Sequence, residues 1–113
     1  MEMTERQVGD VTVLELAGRL TLGTPTDNLR DKMNSLVHQG HRRIVLNVDK
    51  VESVDSGGLG ELVRSHSTVK MKEGKVCLAN LPKRIHDLLV LTRLSTVFDV
   101  FDSEDAAVKS LAS

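Results

Sequence analysis

Ile44-Val45-Leu46-Asn47-Val48 leads within a few residues to Val54-Asp55-Ser56-Gly57-Gly58-Leu59-Gly60. The first run is almost continuously apolar and rich in β-branched residues. A strand covered on both faces reads this way, which places it centrally in a sheet. Beyond Gly58 the period changes. Leu59, Leu62, Val63, His66 and Val69 approximate one stripe of a helix, with Gly74 as its terminator. A buried strand that turns through Asp-Ser-Gly-Gly into a helix is a βα unit, and the rest of the chain is read outward from it.

Toward the N-terminus, Val11-Thr12-Val13-Leu14-Glu15-Leu16-Ala17 predicts a strand ended by Gly18. A short strand near Thr4 to Val8 precedes it across a Gly9-Asp10 hairpin turn. Thr24 is placed to cap a helix and Pro25 suits its first position. Leu29, Met33, Leu36 and Val37 then form one helical face, and Gly40 ends it. Toward the C-terminus, Lys75-Val76-Cys77-Leu78-Ala79 predicts a strand. Pro82 opens a helix carrying Ile85, Leu88 and Leu89. Val97-Phe98-Asp99-Val100-Phe101 predicts a last strand, and Ser103 caps a helix with Val108 and Leu111 inward. The order ββαβαβαβα implies an α/β fold: one domain over residues 1–113, with a mostly parallel central sheet and an N-terminal antiparallel strand. Helices are expected mainly on one face. Functional loops of such sheets lie beyond the carboxyl ends of the strands, where Asp55-Ser56 falls.

The composition narrows the function. Fifteen basic residues against sixteen acidic ones give a net charge of −1. That balance speaks against direct nucleic-acid binding by phosphate neutralisation and against a polybasic membrane anchor. Aromatics make up only 2%, so the core is built from Leu, Val, Ile, Met and Ala. No apolar run approaches the roughly 18 residues of a membrane span, so no membrane insertion is expected. The single Cys77 cannot form an internal disulfide, and no signal peptide is visible at the N-terminus; both fit a soluble cytoplasmic protein. Cys77, inside a predicted strand, reads as core. His38, His41, His66 and His86 lack metal-ligand spacing and read as surface residues; no metal site is expected.

Four readings of the serine loop compete. Asp-Ser-Gly-Gly resembles the nucleophile segment of trypsin-like proteases, but that chemistry needs a His base, a buried Asp and a far longer all-β chain. Gly57-Gly58-Leu59-Gly60 at a helix start suggests amides facing an anion, yet the spacing matches no nucleotide-binding fingerprint. Phosphorylation of Ser56 fits an exposed hydroxyl at a helix N-terminus, where the dipole tolerates the added charge. In the simplest reading, Ser56 is an ordinary N-cap and the glycines are turn residues.

Taken together, the apolar strand and Asp55-Ser56-Gly57-Gly58-Leu59-Gly60 resemble the STAS domain of bacterial anti-sigma factor antagonists, whose motif is D-S-x-G-L-G. Gly18, Gly74-Lys75-Val76 and the segment 81–94 extend the likeness along nearly the whole chain. The resemblance implies a partner-switching role without enzyme activity. Ser56 matches the phosphoacceptor, and the unphosphorylated protein would bind an anti-sigma factor that is also a serine kinase, releasing a sigma factor. A phosphatase would restore binding. ATP and Mg²⁺ would belong to the kinase, so the chain needs no cofactor of its own.

Asp55 is expected to orient the loop or to touch the kinase. Gly58 and Gly60 are expected to let a partner backbone approach, and Gly57 to loosen the helix start. Thr21, Thr24 and an exposed helix face with Glu61, Arg64 and Ser65 are expected to complete the contact surface, and Leu59 to face the core. Thr21 stands where many members carry an acidic residue, and Gly57 where Ser, Thr or Ala is frequent. An alternative keeps the fold but makes the chain a non-enzymatic subunit, as in lipid-transport ABC complexes or stress-signalling scaffolds. A small enzyme with Ser56 as nucleophile is the reading from another class.

Overall fold

A computed structural model describes residues 1–112. The elements are β1 (Glu2–Val8), β2 (Val11–Leu20), α1 (Thr24–His38), β3 (Arg43–Val54), α2 (Ser56–Lys70), β4 (Lys75–Ala79), α3 (Lys83–Leu91), β5 (Asp99–Phe101) and α4 (Glu104–Leu111). They form the expected mixed sheet, with strand order β1-β2-β3-β4-β5. β1 pairs antiparallel with β2 across the Gly9-Asp10 turn, and the other neighbours run parallel.

The pleat of β3 sorts its side chains onto two cores. Ile44 and Leu46 join Leu14, Leu16, Val76 and Leu78 beneath the apolar faces of α1, α2 and α3. Val45 points the other way, with Val13, Cys77 and Ala79, against Ala107 and Leu111 of α4. β3 is therefore covered on both faces, as its continuous apolar run requires. Each fully buried Leu or Val contributes about 1.5–3 kcal/mol relative to exposure. Three of the helices share a face because right-handed crossovers in a sheet that never reverses direction leave them no choice. α4 follows the last strand, is free of that constraint, and closes the opposite face. A sheet without a reversal has no crevice at a switch point, so the loops at the carboxyl ends of its strands form an open rim.

Several sequence expectations need correction. β2 does not end at Gly18 but continues to Leu20. Gly18 sits at a register shift with φ of 101°, a bulge that only glycine adopts without strain. β3 runs past Val48 to Val54, with Val51 buried between exposed Lys50 and Glu52. β5 is confined to Asp99–Phe101, while Phe98 leaves the strand and enters the main core. Thr24 is not the cap of α1. That position belongs to Gly23, and the Thr26 hydroxyl reaches back to the Gly23 amide at 3.1 Å and carbonyl at 3.0 Å.

Gly40 does end α1, its amide on the Val37 carbonyl and the next amide, of His41, on that of Leu36. Gly74 is not the left-handed residue after α2, a place taken by Glu73 with φ of 64°. Gly74 is needed for closeness: a Cβ there would lie 2.4 Å from the Arg42 carbonyl oxygen.

The histidines also separate. His38 and His86 are exposed as read. His41 is half-buried and shares a 2.7 Å hydrogen bond with the Thr12 hydroxyl. His66 turns inward on α2, its ring edge-on to Phe98 at 5.6 Å. Cys77 is buried, and burial pushes its thiol pKa up. Among the described residues no three His, Cys, Asp or Glu side chains converge on a metal position, and no helix is long and apolar enough to cross a membrane.

Candidate functional site

The carboxyl ends of β2 and β3 lie side by side, because Leu20 pairs with Val54 in parallel register. The short connection from β2 to α1, residues 21–23, is thereby set against the β3–α2 junction. Asp55 occupies that junction in an extended conformation and caps α2, its Oδ1 accepting the Gly58 amide at 2.8 Å. The same carboxylate accepts the Leu22 amide, at 3.2 Å to Oδ1 and 3.0 Å to Oδ2. These two amides, Leu22 first and Gly58 second, hold the exposed carboxyl below the usual carboxylate range. Ser56 is thus the first residue of α2 and not its cap. Its hydroxyl is exposed and, among the described residues, has no hydrogen-bond partner. A serine hydroxyl needs an adjacent base to become a nucleophile of its own, and among the described residues none is hydrogen-bonded to it.

The glycines after Ser56 serve different ends. A Cβ at Gly58 would meet the Leu20 carbonyl oxygen at 2.0 Å, and one at Gly57 would meet Leu22 Cβ at 2.7 Å. Both are glycine because the end of β2 and the Leu22 turn press on the first turn of α2. Gly58 is buried, so it packs the fold and offers no contact surface. The two glycines face protein, not an open cradle for an anion. Gly60 is the exception, exposed with nothing within 4 Å of a Cβ.

Glu61 corrects the sequence reading most sharply. It is only 3% exposed, wedged between α1 and α2. Its Oε1 accepts from Arg30 Nε at 3.1 Å and Nη2 at 2.9 Å, while Arg64 Nε stands 3.9 Å away. Glu61 therefore ties two helices together and cannot meet a partner directly. Ser65 is buried as well, donating to the Glu61 carbonyl at 2.9 Å. Leu59 lies in the core as expected.

What remains at the surface is coherent. Ser56, Gly60 and Arg64 recur every fourth residue along one exposed face of α2. Thr24 is exposed and Thr21 half-buried on the adjoining loop. Between them lies a residue the sequence reading passed over. Leu22 is 76% exposed, an apolar side chain beside the serine. The available signal was a leucine in a connection only three residues long, where burial has no room.

The STAS domain family model matches residues 2–107. A relative, the anti-sigma F factor antagonist of Paenibacillus polymyxa, is 26% identical over 102 residues, covering 89% of this chain and 86% of its own. A STAS domain protein from Planctomyces limnophilus superimposes with a TM-score of 0.84 at 19% identity, covering 98% of each chain. SpoIIAA of Bacillus in its phosphorylated form superimposes with a TM-score of 0.77 at 18% identity, covering 98% of this chain and all of the other. At these identities the structural likenesses speak for the fold.

Proposed function

Because the chain belongs to the STAS domain family, we propose that it is an anti-sigma factor antagonist whose binding is switched by phosphorylation of Ser56. The observation that carries this reading is the Ser56 hydroxyl, exposed at the first position of α2 and, among the described residues, hydrogen-bonded to no base. Such a hydroxyl suits a reaction directed by another protein. The partner would be an anti-sigma factor with serine kinase activity, and the ATP and Mg²⁺ would be the kinase's. Ser56 Oγ would form a bond to the γ-phosphorus as the bond to ADP breaks, its proton passing to a base of the kinase. A phosphatase would hydrolyse the ester and return the hydroxyl.

Unmodified, the rim of Leu22, Thr24, Asp55, Ser56, Gly60 and Arg64 would engage the anti-sigma factor and release the sigma factor. A phosphate adds about −1.5 to −2 charges at the centre of that rim. Burying it against a partner without matching cations is costly, while the positive end of α2 lets the fold carry it. The test is a pull-down of the anti-sigma factor with wild type, Ser56→Ala and Ser56→Asp. Retention by Ala and loss by Asp are expected, with one phosphate on Ser56 by mass spectrometry after incubation with kinase and ATP. Modification at another residue, or full binding by Ser56→Asp, overturns the proposal.

A further inference from the structure

Asp55 does more than cap a helix. One oxygen of its carboxylate holds the Gly58 amide at 2.8 Å, and the other holds the Leu22 amide at 3.0 Å. The second bond crosses from α2 to a different loop and fixes the exposed Leu22. The backbone and Cβ of Leu22 rest on the first turn of α2, with Leu22 Cα only 3.1 Å from where a Gly57 Cβ would stand. An apolar contact residue is therefore held one hydrogen bond away from the residue next to Ser56.

The local charge makes this bond sensitive to Ser56. Neighbouring Cα atoms are about 3.8 Å apart, so a phosphate on Ser56 would lie within about 10 Å of the Asp55 carboxylate, close enough to repel it. Both anions would compete for the positive end of α2 and its first amides. The arginines of α1 and α2 are turned toward Glu61. Arg30 is held by Glu61, and Arg64 is directed to the same carboxylate at 3.9 Å. Among the described residues no Lys or Arg pairs with Asp55.

We infer that Asp55 is a positioning residue: its carboxylate presents Leu22 to the partner while Ser56 is unmodified, and a phosphate on Ser56 breaks the bond to the Leu22 amide and frees the loop. The inference rests on Ser56 being the phosphoacceptor, and it makes phosphorylation remove a contact as well as add a charge.

The test uses the full chain, ¹⁵N-labelled, with phosphoserine installed at position 56 during translation, so that no kinase is needed. Amide exchange is followed by NMR. Phosphorylation is expected to speed exchange at Leu22 by about tenfold or more, as losing a hydrogen bond to a charged group would. The core amides of Leu46 and Leu78 serve as the fold control and should not change. In the unmodified protein, Asp55→Ser keeps a capping oxygen for Gly58 but has none left for Leu22. It should speed exchange at Leu22 while Gly58 stays protected. A merely structural Asp55 would leave Leu22 indifferent to the phosphate. Equal Leu22 exchange with and without phosphate overturns the inference, whatever a kinase does to Ser56. A Leu22 response in a protein that its anti-sigma factor never phosphorylates sustains the coupling and sinks the switch assignment instead.

Discussion

A methyl group at Gly58 would stand 2.0 Å from the Leu20 carbonyl oxygen, whereas one at Gly60 would meet nothing within 4 Å. Gly58→Ala should therefore destabilise the domain by about 1–3 kcal/mol, the cost of forcing extra atoms into a packed site. Gly60→Ala should stabilise it by about 0.5–1 kcal/mol, since glycine inside a helix costs that much relative to alanine. Urea denaturation distinguishes the two, and stabilisation by Gly58→Ala would refute the packing account. If Gly60 admits the partner, the more stable Gly60→Ala protein should nonetheless bind the anti-sigma factor less well. Asp55-Ser56-Gly57-Gly58-Leu59-Gly60 made the place of this site legible. It did not make the roles legible. Asp and Ser are equally good caps, so only the backbone decides that Asp55 caps and Ser56 follows. Glycines required by Leu20 and Leu22 look, in sequence, the same as one that faces solvent.

At the scale of elements, α1 and α2 are joined by a buried charge. Glu61 is buried, its Oε2 has no hydrogen-bond partner among the described residues, and Arg30 is its close cation. Removing Arg30 would leave the buried carboxylate with only the distant Arg64 at 3.9 Å. Arg30→Ala should cost about 1–3 kcal/mol, reduced from the fully buried case because Arg30 itself is partly exposed. Arg64→Ala removes only a distant, exposed arm and should cost about 0–1 kcal/mol. Equal urea midpoints for the two variants would refute a dominant Arg30–Glu61 link. The sequence showed the helices through their apolar stripes, but a glutamate beside a stripe reads as solvated. Its burial depends on where α1 packs, which no single helix records. The same holds for β2: Gly18 looks like a strand end, and only pairing with β3 carries the strand through it to Leu20.

Across the whole molecule, the order of elements and the parallel sheet followed from alternating apolar periods. The face chosen by α4 did not, because no crossover fixes it. His66 sits on the apolar stripe of α2, but its partner is a tertiary result, Phe98 entering the core beside that helix. That burial gives the fold a pH dependence. The Nδ1 atom of His66 is shielded with no hydrogen-bond partner among the described residues, and burial first, then Lys70, lowers its pKa against a weaker opposing pull from Asp99.

Above about pH 6.5, the ordinary histidine value, His66 is neutral in the folded and unfolded chain alike and costs nothing. As pH falls through that value the unfolded chain takes up the proton first, so stability declines until the folded ring is protonated too. The carboxylates held low, Asp55 by amides and Glu104 chiefly by Arg6, lose their contribution only in a separate window below about pH 4. The melting temperature should therefore fall between pH 7 and pH 5 in the wild type. In His66→Phe, which keeps a ring against Phe98 but cannot titrate, the fall in that window should be largely absent. Melting curves recorded from pH 8 to pH 3 separate the two windows. Parallel declines of wild type and His66→Phe between pH 7 and pH 5 would show that another group carries the dependence.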